Sequence, residues 1–145
     1  MTPQGMFSVN QAAAITGIGE KLLQYWLASG VVSPTVDLGM GRGNGKKFDL
    51  QGLVGLRVVA DLRREGVPMQ RVRLAVRKLS RLKGKRALEA LAASRLVVLP
   101  DGDVALCNRD EFVSPLTGQQ LMGPIIALDI GATVADVREA VRRAA

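Results

Sequence analysis

The sequence predicts an α+β fold, a mainly helical N-terminal part carrying one β-hairpin, followed by a small β-rich module closed by a helix. Three observations predict it. Apolar residues recur at helical spacing up to about residue 82, the spacing changes to two from residue 96, and the charge changes sign across the same divide. Residues 51–95 carry twelve basic and three acidic side chains, whereas residues 96–145 carry four and seven, within a formal net charge of +7. We therefore expect two domains, residues 1–84 and 85–145, with a soft joint at Lys83-Gly84-Lys85.

A chain of 145 residues buries about 68–70% of its unfolded surface, enough for a core without disulfides or metal. Its single cysteine, Cys107, lies in the apolar run Val104-Ala105-Leu106-Cys107 and reads as a small buried residue. The absence of histidine removes histidine-based triads, histidine-containing zinc sites and histidine proton shuttles. We expect no catalytic, metal or cofactor-binding residues, and no enzyme. The first residues lack a basic and apolar leader pattern, and no apolar run has the ~18–20 residues of a membrane span. The expected location is the bacterial cytoplasm, with no membrane partner.

Ser8-Val9-Asn10-Gln11 has the form of a capping box, and Gly17 ends the short helix that follows. The spacing predicts a second helix over about 19–29, with Gly30 as its left-handed end and Pro34 blocking continuation. Leu22 and Trp26 are expected in the core. Two short helices joined by Thr16-Gly17-Ile18-Gly19 form a helix-turn-helix pattern. Val36, Leu38 and Phe48 are the apolar positions of two strands, and Asn44-Gly45 is a strong two-residue hairpin signal between them. A hairpin directly after a helix-turn-helix is a wing.

Asp49 caps a third helix, about 50–65, with Leu53, Leu56, Val59 and Ala60 inward and Gly66 at its end. Gly52 and Gly55 weaken this helix but allow close packing. Pro68 opens a fourth helix through Leu82, with Val72, Ala75, Val76 and Leu79 inward, and a further helical stretch spans 85–94. Strands at 96–99 and 104–107 flank Pro100-Asp101-Gly102-Asp103. Phe112 to Met122 is mixed, Ile125 to Ile130 is another strand, and Thr133 opens a last helix to about Ala144.

The segment Gly39-Met40-Gly41-Arg42-Gly43-Asn44-Gly45-Lys46-Lys47 invites a nucleotide-binding reading, which fails. Met40 stands where a phosphate loop needs its first glycine and Lys47 where it needs a hydroxyl, and the dinucleotide spacing is not met either. Long polar groups on the second helix suit base edges better: glutamine bonds adenine bidentately, lysine reaches guanine or phosphate, tyrosine takes a phosphate. Lys21, Gln24 and Tyr25 are accordingly the candidate groove contacts, and Arg42, Asn44, Lys46 and Lys47 the candidate wing contacts. From Arg71 to Arg86 run eight cations without an acid. Of these, Arg71, Arg73, Arg77 and Lys78 are candidates for further phosphate contacts.

The order Phe7-Ser8-Val9-Asn10-Gln11-Ala12-Ala13-Ala14-Ile15-Thr16-Gly17-Ile18, then Leu22-Leu23-Gln24-Tyr25-Trp26-Leu27-Ala28-Ser29-Gly30-Val31-Val32-Ser33-Pro34, resembles the MerR-type winged helix-turn-helix family. Lys46-Lys47-Phe48-Asp49 is similar to that family's wing exit and helix cap, and the resemblance extends over about residues 6–82. It implies sequence-specific binding of double-stranded DNA, usually by a homodimer, with the second helix in the major groove and the wing on the flanking backbone. Gln24 stands where the family usually has arginine, Gly52 where it has an acid, and Gly84 interrupts the long dimerising helix.

The expected function is a DNA-binding transcription regulator. One alternative is an antitoxin or adaptor whose residues 96–145 bind a protein partner while DNA binding is autoregulatory, as the tail weakly resembles those of antitoxins with a MerR-like half. A second alternative is an architectural DNA-binding factor.

Overall fold

The computed structural model describes residues 5–39, 45–84, 86–108 and 125–144. The expectations placed on Arg42, Asn44, Lys85 and the 112–122 stretch lie outside these residues. In chain order the elements are β1 (Phe7–Ser8), α1 (Val9–Thr16), α2 (Glu20–Ala28), β2 (Val36–Asp37), β3 (Lys46–Phe48), α3 (Leu50–Arg64), α4 (Met69–Ser80), α5 (Ala87–Ala92), β4 (Ser94–Val98), β5 (Val104–Asn108), β6 (Ile126–Asp129) and α6 (Ile130–Ala144). The fold is α+β, as expected. The chain forms two compact units, residues 1–60 with 136–145, and residues 61–135.

In the first unit, the capping box forms in full. The Gln11 amide N–H donates to Ser8 Oγ at 3.2 Å, and the Ser8 N–H donates to Gln11 Oε1 at 2.9 Å. Ser8 also belongs to β1, a two-residue strand that the sequence reading did not foresee. β1 and β2 flank β3 in an antiparallel sheet, with Phe7 opposite Phe48 and Val36 opposite Lys47. α3 starts at its expected cap, where Asp49 Oδ1 accepts the Gly52 N–H at 2.7 Å. It ends in a Schellman motif: Gly66 has φ +84°, its N–H donates to the Arg63 carbonyl, and the Val67 N–H donates to the Leu62 carbonyl, each at 3.0 Å.

The two helical glycines differ in their reasons. A Cβ on Gly52 would lie 3.0 Å from Thr35 Oγ1 and 3.2 Å from Asp49 Oδ1, so glycine there makes room for a close approach. A Cβ on Gly55 would meet nothing within 4 Å, and its close-packing expectation is not met. Gly55→Ala should therefore stabilise the fold by about 0.4–1 kcal/mol, seen as a higher urea midpoint at unchanged slope. A lower midpoint would contradict the open space at that position.

In the second unit, β4 is the central strand of the antiparallel order β5-β4-β6. Pro100-Asp101-Gly102 is a three-residue hairpin loop. The Leu99 N–H donates to the Asp103 carbonyl and the Gly102 N–H to the Leu99 carbonyl, both at 2.9 Å, with Gly102 at φ +96°. α4 buries Val72, Ala75 and Leu79, and it packs against β5, while Val76 is only half-buried. Thus α4, grouped by its sequence with the helical N-terminal part, here shares a compact unit with the sheet. α6 begins three residues before the expected Thr133, because the Asp129 carboxylate accepts the Ala132 N–H at 3.3 Å and caps the helix there.

Candidate nucleic-acid interface

α1 and α2 pack against each other and are joined by a turn in which Gly17 closes α1 in the left-handed conformation and Ile18 is buried. Leu23, Trp26 and Leu27 form the buried face of α2. Successive helical residues turn by about 100°, so Lys21, Tyr25 and Ala28 make the ridge opposite that face, and all three are exposed. Leu22 and Gln24 fall on the two opposite flanks of the ridge.

The expectation that Leu22 is core is corrected. Its neighbour Leu23 is 0% exposed, whereas Leu22 is 46% exposed. The 23/26/27 row is the buried one, and a helix cannot also bury a residue about 100° away without a second neighbour on that side. Tyr25 is 65% exposed and Gln24 half-buried. Beyond α2, the Val31 N–H donates to the Trp26 carbonyl at 3.0 Å and the Gly30 N–H to the Leu27 carbonyl at 3.3 Å, with Gly30 at φ +77°. This is a second Schellman motif, and it turns the chain so that Val31 and Val32 are buried.

A clasp then closes the base of the hairpin. The Asp49 N–H donates to Thr35 Oγ1 and the Thr35 hydroxyl donates to Asp49 Oδ1, both at 3.0 Å. Thr35 was not singled out by the sequence; a Thr before one strand and an Asp after the next is the signal that could have found it. Phe48 is fully buried, and alternation along β3 puts Lys46 on its side of the sheet and Lys47 on the other, next to Val36 and Ser8. Both lysines are half-buried, and Lys46 stands opposite Asp37.

The pairing of β2 with β3 is present, whereas the expected Asn44-Gly45 turn falls on residue 44, outside the described residues. The Leu38 N–H donates to the Gly45 carbonyl at 2.9 Å, continuing the register in which Asp37 faces Lys46. Gly45 lies just before β3 and is buried. Val36 and Leu38, expected at apolar strand positions, are 38% and 61% exposed.

The cations of α4 belong to the second unit. Arg77 is exposed, and Arg73 and Lys78 are half-buried. Arg71 lies against the β4–β5 loop, where a Cβ on Gly102 would come within 2.5 Å of its guanidinium. Cys107 is buried, and burial pushes its thiol up from the ordinary value, which disfavours the nucleophilic thiolate. Among the described residues no cluster of three Cys, Asp or Glu side chains is placed to hold a metal ion, and no helix is long and apolar enough to cross a membrane.

The sequence model describing MerR HTH family regulatory proteins matches residues 7–79 of the chain. No curated protein matches it.

Proposed function

The chain belongs to the MerR helix-turn-helix family of regulatory proteins and is a DNA-binding transcription regulator in general terms; from this premise we propose that it reads specific double-stranded sequences with α2 in the major groove. The observation that carries the reading is the exposed ridge of α2, Lys21, Tyr25 and Ala28, held outward by the buried Leu23, Trp26 and Leu27. Gln24 contacts a base from one flank of that ridge. Lys46 and Lys47, with Arg42 and Asn44 of the connecting segment, contact flanking phosphates as a wing, and Arg73, Arg77, Lys78 and Arg71 add backbone contacts. Phosphate contacts set register and affinity, and base contacts set specificity.

Selection of bound duplexes from random DNA, followed by footprinting, tests this. Gln24→Ala should relax preference at one position by about 1–3 kcal/mol while leaving affinity for non-selected DNA unchanged. If base preference is untouched, Gln24 is not a reading residue.

Residues 96–145 remain the candidate surface for self-association or a protein partner, which the opposite sign of their charge favours. Recovery of a stoichiometric protein partner would support the antitoxin or adaptor role.

A further inference from the structure

We propose that Leu22 is a specificity-determining residue, packing on the 5-methyl group of a thymine in the major groove. The inference rests on the reading of α2 as the groove-facing helix. A single exposed leucine needs no explanation, but here the exposure is concentrated. Among the described residues the exposed large hydrophobic side chains are Leu22, Tyr25, Val36 and Leu38, all on α2 or on β2 and the residue after it. The same stretch of the fold carries Lys21 beside Leu22, and Lys47 opposite Val36.

That mixture decides what covers it. The buried centre of a protein–protein interface is depleted of charge, and lysine in particular is under-represented there. Duplex DNA offers the reverse, small apolar spots in the form of thymine methyl groups set between rows of phosphates. Leu22 is placed for such a spot. It is the third residue of α2, whose inward residues begin only at Leu23, so it is the apolar side chain of the first exposed turn. Recognition helices put these N-terminal residues against base edges. Tyr25, one turn further on, is left to reach the backbone, while Gln24 on the other flank reads a different base.

The test uses the full chain and its selected duplex. Each thymine is replaced singly by deoxyuridine, which removes only the methyl group. For the unaltered protein one replacement should weaken binding about four-fold, the value of one buried methyl-sized group. For Leu22→Ala the thymine duplex should bind more weakly and the same replacement should have no effect. Leu22→Gln, equally suited to an exposed helical position, should also lose the response, so a poorly folded alanine variant does not stop the test. The proposal is overturned if no thymine shows the response, or if both variants keep it. It is also overturned if they bind all DNA normally but lose self-association or a protein partner. A protein with no sequence preference at all would overturn both this proposal and the groove-facing reading of α2.

Discussion

Replacing Phe48 with alanine is expected to cost about 3–5 kcal/mol of folding stability. The ring is fully buried, sits on the central strand of its sheet and faces Phe7 across the ladder. It is also next to Asp49, whose carboxylate both caps α3 and closes the hairpin base through Thr35. The cavity would thus open beside three separate features, none of which can collapse into it without moving another. Trp26, the chain's one tryptophan, is buried in the same unit and reports the transition by fluorescence. The midpoint in urea should fall steeply with little change in slope, and the thermal midpoint by about 2–4 °C per kcal/mol. Phe48→Leu, which keeps most of the volume, should lose about 1.5 kcal/mol or less. An alanine variant as stable as the leucine one would mean that the ring does not anchor the hairpin.

The anchoring role of Phe48 also explains what could and could not be read from the sequence. The ends of α1, α2 and α3 are legible because their chemistry is local: Ser8 and Gln11 are three residues apart, and Gly30 and Gly66 each stand two residues past the end of the helix they close. The loop at Pro100-Asp101-Gly102 was legible for the same reason. The register of the first sheet has no such local signal. The ladder is aligned by distant partners, Phe7 with Phe48 and Val36 with Lys47. The facing of Leu22 is not legible, because spacing alone permits two buried rows on α2, 22 with 26 or 23 with 26 and 27. Only the tertiary packing around α2 decides between them. Likewise the packing of α4 on β5 joins residues far apart in sequence, and no periodicity of α4 distinguishes a helical neighbour from a sheet. The candidate site was therefore legible as a set of elements and a charge pattern, while the facing of its side chains was not.

Raising the salt concentration from 50 to 200 mM is expected to weaken DNA binding by about 10³-fold. About six phosphate contacts, drawn from Lys21, Arg42, Lys46, Lys47 and the cations of α4, would release about as many counterions, giving a log–log slope of roughly −5. The double variant Lys46→Ala with Lys47→Ala separates the wing from the rest. It should weaken selected and unselected DNA about equally and make the slope shallower by about two, because each lysine accounts for one displaced counterion. The contrast with Gln24→Ala and Leu22→Ala is the informative part, since those changes alter preference among sequences and leave the slope alone. Lys46 adds a finer expectation. It stands opposite Asp37 and on the buried side of β3, whereas Lys47 is on the other side next to Val36. The acid neighbour offsets part of the Lys46 charge, so the single variant Lys47→Ala should carry more of the change in slope than Lys46→Ala. A slope near zero for the unaltered protein would remove phosphate contact as the source of affinity. An unchanged slope in the double variant would remove the hairpin from the DNA interface.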